Sequence, residues 1–428
     1  MAFTGEDLAD FDNALKTFQP QEVVRDIDNR VPLYKTIKGA ASGRPTGGKS
    51  LTANWMVETG ANLGWDDLTE GGDFATPRKG IYKNYSLSCA HMSFAFEVSG
   101  HLQASGYSDK YAWIAAESER FMDQTKDTVT RLVGILIMLD GTANLGTILS
   151  IATNTITLDT GQILNVLLGM RLTIRDTASG GTEQLTGAQP AAGQVSDPDY
   201  PGNAFTIGDA TGAAAGDYVA IYEFYGATLP NGIRNIVAAT GTFQGINRAS
   251  AGNKFAVSQV RSDTGAFGDN MLIRTAHEVL KMSPDKDPTK GWLAIMDFDS
   301  QRWYYLTKQD QVRFQGGGGQ GGQKIVGGYA GVGLSLGGGG EVMLTADERA
   351  WPGETLFLDP ASLFILEPTS GVKDGWVENA GGSYLFQKTG SAANGVYADA
   401  KQAFYVKRYN VGCDKPRNNA RLTGYRSI

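Results

Sequence analysis

The sequence predicts an α+β protein in which one unusually long helix is set among many short strands. Three observations carry that expectation. Apolar residues recur at helical spacing from about Asp109 to Leu139, at Tyr111, Ile114, Phe121, Met122, Val129, Leu132, Val133, Leu136 and Leu139. Short alternating segments between Gly, Asp and Pro turns fill most of the remainder. Glycine supplies 56 of 428 residues without a G-x-y period, which excludes collagen and predicts many turns.

Taken in order, residues 1–42 read as an arm. A short helix is expected around Asp7 to Thr17, a break at Pro20, a polar helical turn and then Pro32, with little core of its own. Residues 43–85 are rich in Gly, Thr and charge and include the alternating piece Leu51 to Val57, which suits a long two-stranded excursion. Such a hairpin is marginal alone, so Trp55 and Trp65 imply that it lies on something, this chain or a neighbour. A single strand is expected from Ser86 to Val98, burying the face that carries Met92, Phe94 and Phe96. The long helix follows, capped by Ser108 and ended by Asp140-Gly141.

Residues 145–227 change character. Asn154–Leu158, Met170–Ile174, Ala204–Ile207 and Tyr218–Tyr222 read as strands of a small inserted β-domain, whose distinct composition predicts that the rest would fold without it. Beyond it, Phe267 to Met282 and Ser300 to Thr307 are expected as helices, with a strand at Trp292 to Phe298. Gly316–Gly322 and Gly337–Gly340 are loops, and strands close the chain at Thr355–Leu358, Ser362–Leu366 and Phe404–Tyr409.

The totals exclude several classes. A 41% hydrophobic content is enough for real cores, and the net charge of -7 gives no basic footprint for tight autonomous nucleic-acid binding. Cys89 and Cys413 are too few for a disulfide scaffold and are expected to be buried thiols. The start, Met1 to Asp7, is acidic and lacks an apolar h-region, so cytoplasmic synthesis is expected. The longest apolar run, Leu132 to Leu139, is too short to cross a membrane, and no membrane partner is expected.

One enzymatic pattern needs weighing. Gly43-Arg44-Pro45-Thr46-Gly47-Gly48-Lys49-Ser50 satisfies the G-x-x-x-x-G-K-[ST] phosphate loop, with Asp297, at the end of an apolar strand, as a magnesium ligand. The motif needs a helix leaving the loop, so that backbone N–H groups face phosphate. Here Leu51 to Trp55 alternates like a strand, and the expected reading is a glycine-rich basic loop base. His91, His101 and His277 lack partners at metal-ligand spacing, and no G-x-S-x-G elbow occurs. No catalytic, cofactor or metal residue is assigned, and no enzyme activity is expected.

Two stretches carry a resemblance. The tail from Phe404 to Gly424, with Asn410-Val411-Gly412-Cys413-Asp414-Lys415-Pro416-Arg417-Asn418-Asn419-Ala420-Arg421, resembles the C-terminus of tailed-bacteriophage major capsid proteins. Leu229-Pro230-Asn231-Gly232-Ile233 through Thr240-Gly241-Thr242-Phe243-Gln244-Gly245-Ile246-Asn247-Arg248 resembles the start of the axial domain in the same family. The resemblance implies the Hong Kong 97-type capsid fold along nearly the whole chain. It would make residues 1–42 an N-terminal arm, 43–85 an extended loop over an adjacent subunit, and 86–144 a peripheral domain with its spine helix at 109–139. Residues 145–227 would be the inserted β-domain, 228–358 the axial domain, 359–412 the return to the peripheral domain, and 413–428 a strand rejoining the axial sheet.

The same resemblance implies a shell subunit of the virion, assembling with itself as pentamers and hexamers around double-stranded DNA that it does not read. A separate scaffolding protein and a portal would be its partners, and a decoration protein is a further partner the family allows. Inter-subunit contacts would come from Trp55, Trp65, Asp66, Asp67, Glu70, Arg78 and Lys79. In this charged set, pairing across a subunit boundary competes with a plain solvated loop. The family's lysine-to-asparagine cross-link is not expected, because Lys49 and Lys79 have no recognisable partner motif. The alternatives are a nucleotide-dependent enzyme built on 43–50 and a β-rich tail or adhesin subunit.

Overall fold

In the computed structural model, the described residues are 33, 36–37, 51–58, 74, 79, 81–99, 128–178, 180–189, 191–226, 229–283, 286–287, 290–312, 332–335, 341–368, 375–377, 386–389 and 397–425. The predicted two-stranded excursion is present at its base. Strand β1 (Thr52–Glu58) pairs antiparallel with β2 (Tyr82–Ser88), from Thr52 opposite Ser88 to Glu58 opposite Tyr82.

The expected single strand at 86–98 is instead two, β2 and β3 (Ala90–Ser99), which belong to different sheets. The reason lies in what each must bury. Tyr85, Leu87 and Cys89 point into packing at the hairpin base, whereas Met92 faces the main core and Ala90, on the same face as Met92, is buried. Buried positions therefore fall on odd residues up to Cys89 and on even residues after it, and a continuous strand cannot change face in this way.

Of the long predicted helix, 128–138 is described and helical (α1), and its start at Asp109 lies outside the described residues. Every residue from Val133 to Leu139 is buried, so this stretch is covered on all sides. It stops at Asp140, whose carboxylate accepts from Thr142 N at 3.0 Å, while Gly141 takes a φ of 87°.

The inserted segment forms strands β4 (Asn144–Ala152), β5 (Thr155–Gly161), β6 (Leu172–Arg175), β7 (Val195–Asp199), β8 (Ala204–Ile207) and β9 (Tyr218–Ile221). They make one sheet in the order β6-β9-β4-β5-β8-β7. Its two edges are stitched together: Gly169 N donates to Val195 O, Leu172 N to Gly193 O and Val195 N to Met170 O, each at 2.9 Å. The two ends of the sheet are thus drawn together into a small barrel, filled by Ile156, Leu172, Ile174, Phe205 and Val219. Composition alone suggested a dispensable insertion. The structure differs, because the barrel interior and α1 belong to one continuous buried cluster.

After the barrel come α2 (Ile233–Ile236), the paired strands β10 (Thr242–Phe243) and β11 (Ile246–Asn247), then β12 (Gln259–Ser262) and α3 (Asp269–Met282). Next are β13 (Trp292–Met296), α4 (Phe298–Val312), β14 (Val332–Ser335), β15 (Glu341–Ala346) and β16 (Glu354–Leu358). The chain ends with β17 (Leu363–Leu366), β18 (Gly375–Trp376), β19 (Phe386–Thr389), the 17-residue β20 (Tyr397–Cys413) and β21 (Ala420–Thr423). One six-stranded mixed sheet runs β12-β21-β16-β13-β15-β14, with α3 packed through Leu272, Ala276 and Val279 into the cluster around Trp292 and Phe357. In the other sheet β20 pairs with β3, β17, β18 and β19. The tail therefore leaves one sheet as β20 and enters the next as β21, between β12 and β16.

Candidate functional site

The two stretches singled out by resemblance, some 170 residues apart in sequence, meet at the base of the hairpin. Asn231 N donates to Asn410 Oδ1 at 2.6 Å, and Asn410 Nδ2 donates to Ser88 O at 2.6 Å. One asparagine thus joins the first stretch, the tail and β2. Gly232 sits against the end of α1, where a Cβ would overlap the Leu139 carbonyl, so only glycine allows this approach. Gly412 has the same role in the tail, where a side chain would strike the Phe364 ring and Leu87.

Glu354 at the start of β16 ties the same stretches by charge. Its Oε2 accepts from Arg234 at 3.1 Å and from Arg421 at 2.9 Å, and the Arg234 guanidinium lies 3.1 Å from the centre of the Trp351 ring. Burial pulls the Arg234 pKa down to about 10, and the Glu354 carboxylate acts against that shift. One buried carboxylate between two guanidiniums fixes geometry more than it adds stability, because desolvating the charges offsets most of their attraction.

Arg248 anchors the loop that holds the hairpin. It is 1% exposed and donates through Nε to Ala256 O at 2.8 Å and through its terminal nitrogens to Ile236 O at 3.1 Å and Thr240 O at 3.3 Å. These bonds close the loop around β10 and β11. At its tip Gln244 takes a φ of 49°, unusual for a residue with a side chain, and its carbonyl accepts from Ser86 N at 2.9 Å. Tyr85 packs on Phe255 and Trp55, with ring centres 5.9 and 5.4 Å apart. Burial raises the Tyr85 pKa well above the usual phenol range.

The tail motif has its own tasks. Asn418 Nδ2 donates to Asp359 Oδ2 at 3.0 Å, and Asn419 Oδ1 accepts from Asp359 N at 2.7 Å. Asp359 also pairs with the buried Lys286 at 3.1 Å. Trp292 Nε1 donates to Asn418 O at 2.9 Å. Cys413 is buried beside Ser362, at 3.5 Å, and burial pushes its thiol up to about 12. Cys89 is buried as well, and neither cysteine forms a disulfide.

Of the predicted contact residues, Trp55 is half-buried against Tyr85 and Phe364 of its own chain, the latter ring 5.4 Å away. Lys79 is exposed, and Trp65, Asp66, Asp67, Glu70 and Arg78 lie outside the described residues. The exposed surface of the hairpin carries residues that the sequence reading passed over: Met56 is 71% exposed, Ile81 55% and Tyr82 56%.

The phosphate-loop pattern at 43–50 lies outside the described residues, but the residues that follow it form β1, where a nucleotide site would need a helix. Asp297 has another task. Its carboxylate accepts from Asp299 N and Ser300 N at 3.1 Å each, capping α4, which begins two residues before the predicted Ser300. His91 and His277 are exposed, and His101 lies outside the described residues. Among the described residues no cluster of His, Cys, Asp and Glu could hold a metal ion.

Neither a family model nor a curated protein matches this chain. Among solved structures it is similar to a chain of the cyanophage A-1(L) capsid asymmetric unit, at 11% identity and TM-score 0.46, covering 92% of this chain and 93% of that one. It is also similar to a chain of the satellite phage P4 procapsid that includes the size determination (Sid) protein, at 10% identity and TM-score 0.39, over 99% and 93%. A third is the holo-SrpI encapsulin complex of Synechococcus elongatus PCC 7942, at 8% identity and TM-score 0.34, over 82% and 79%. At these identities and TM-scores the likenesses assign no residue a role.

Proposed function

We propose that this chain is a major capsid protein of the Hong Kong 97 type, a non-enzymatic subunit of the virion. It assembles as pentamers and hexamers into an icosahedral shell around the double-stranded DNA of a tailed phage. One observation carries the reading: the two stretches through which the sequence resembles that family form a single joint, through Asn231 with Asn410 and Arg234 with Glu354 and Arg421. A chance likeness in two separate places would not require the two places to bind each other. The joint sets the base of the hairpin and leaves Met56, Ile81 and Tyr82 facing outward, which suits a contact with a neighbouring subunit. Closed symmetric assembly multiplies such modest contacts.

In this reading the hairpin is the extended loop, with Trp65, Asp66, Asp67, Glu70, Arg78 and Lys79 in the contact, and Trp55 holds its base. A scaffolding protein, a portal and, where present, a decoration protein are its partners, and assembly takes place in the host cytoplasm. Negative-stain electron microscopy and sedimentation of the expressed protein, with scaffold supplied, are the test. Rings of five or six or closed particles are expected, and a stable monomer at high concentration would reject the reading.

A further inference from the structure

Four buried polar residues from three distant parts of the chain meet where the tail reaches the start of β13. Lys286 Nζ lies 3.1 Å from Asp359 Oδ1, and Asn418 Nδ2 donates to Asp359 Oδ2 at 3.0 Å, so one carboxylate holds an amine and a carboxamide at its two oxygens. Ser283 Oγ donates to Asn418 Oδ1, the oxygen of that carboxamide. Lys286 Nζ also donates to Gly291 O at 3.2 Å and lies 4.7 Å from the centre of the Trp292 ring, which holds the amine in place. Ser283, Lys286, Trp292, Asp359 and Asn418 are all buried. A cavity of about 160 Å³ beside Lys286, Asp359 and Asn418 leads out past the exposed Lys290 and Lys415.

We propose that Lys286 and Asn418 join in an isopeptide bond formed by the folded chain itself, with Asp359 carrying the protons and Ser283 steadying the carbonyl oxygen. The Lys286 ammonium gives a proton to Asp359, and the freed amine attacks Asn418 Cγ while the Ser283 hydroxyl donates to Oδ1 as negative charge develops there. Asp359 returns the proton to Nδ2, the Cγ–Nδ2 bond breaks and ammonia is released. Asp359 then takes a second proton from Nζ and passes it to the ammonia, which leaves through the cavity as ammonium. The products are one amide and one ammonium ion, the carboxylate is restored, and nothing is oxidised or reduced. Holding both groups on one carboxylate replaces the encounter that an amine and an unactivated amide would need in solution. The bond lies within one chain, so it locks the tail to the sheet rather than joining subunits, and it stands independently of the capsid reading. It constrains the unfolded chain as a disulfide would.

Mass spectrometry of the purified full chain, denatured after folding, tests it. The mass is expected to fall about 17 Da below that of the sequence, one ammonia lost, and a protease digest to yield a branched peptide carrying Lys286 and Asn418. A succinimide at an Asn-Gly step loses the same mass, so the branched peptide decides. Lys286→Gln and Asp359→Asn are expected to lack it. The unmodified chain decides even where a variant does not fold: separate, unbranched Lys286 and Asn418 peptides from soluble, folded protein would overturn the proposal. A branched peptide formed at undiminished yield in Asp359→Asn would overturn it as well.

Discussion

The barrel and the hairpin are both β-structures that branch from the main body, yet they satisfy their backbones and apolar faces in opposite ways. The barrel draws the ends of its sheet together through Gly169, Leu172 and Val195 and fills its interior with its own side chains. The described part of the hairpin has two strands, β1 and β2. Its inner face at Ala53, Trp55, Tyr85 and Leu87 is covered at the base by Phe364, Phe255 and the loop closed by Arg248, while Met56, Ile81 and Tyr82 are exposed. A two-stranded ribbon cannot bury both faces, so its stability must be borrowed. The difference separates residues that fold the subunit from residues available for joining subunits.

Removing the barrel, Gly146 to Tyr225, and joining the ends by a short linker gives the largest expected effect. Sequence composition predicts a soluble remainder. The structure reverses that expectation, because α1 is buried on every side and loses one of its walls. The deletion is expected to be insoluble beside a soluble intact chain, and a soluble, native-like product would return the barrel to the status of an independent insertion.

Within the barrel, Phe205→Ala should destabilise the unassembled subunit by about 3–5 kcal/mol, the usual result of emptying a fully buried aromatic site. Urea unfolding measures it. A loss below about 1 kcal/mol would show that the barrel core is looser than its burial indicates.

Neighbouring positions on β1 sharpen the contrast. Trp55→Ala, at the clamped base, is expected to lower subunit stability by about 2–3 kcal/mol, less than for a fully buried tryptophan because Trp55 is half-buried. Met56→Asp should leave subunit stability within about 0.5 kcal/mol while removing particles from the micrograph. Normal particles from Met56→Asp would free the outer face of any role in assembly.

The smallest effect is a pH dependence. Burial raises the pKa of Tyr85, Tyr409 and Cys413 in the folded chain, so each favours the protonated form more strongly when folded. Their contribution is complete below the ordinary values of 9.0 for the thiol and 10.0 for the phenols, and it is lost as pH rises beyond them. Urea midpoints should fall above about pH 9–10, and the fall should be shallower in Tyr85→Phe. An unchanged slope in that variant would place the alkaline sensitivity elsewhere.

Much of this was legible in the sequence. Alternation and helical spacing depend on local geometry, so β1, α3, β16 and the barrel strands β5, β6, β8 and β9 fall close to where the pattern puts them, whereas β4 and β7 were not named by it. The strand exit after Ser50 was equally visible and excluded a phosphate cradle. What a pattern cannot carry is which face a partner covers. The break at Cys89 arises because two different clusters demand side chains on opposite sides. The half-burial of Trp55 depends on Phe364, some 300 residues later, and the closure of the barrel depends on hydrogen bonds between distant turns. Asp297 shows the limit most simply: a carboxylate after an apolar strand can hold a metal or cap a helix, and only the two amides that face it in space decide for the cap. Sequence by itself determined the elements and the two stretches that matter, because local spacing and residue type set them. Tertiary structure alone decided that those stretches form one joint around Asn410 and Glu354, because contacts over such distances follow from packing rather than from order along the chain.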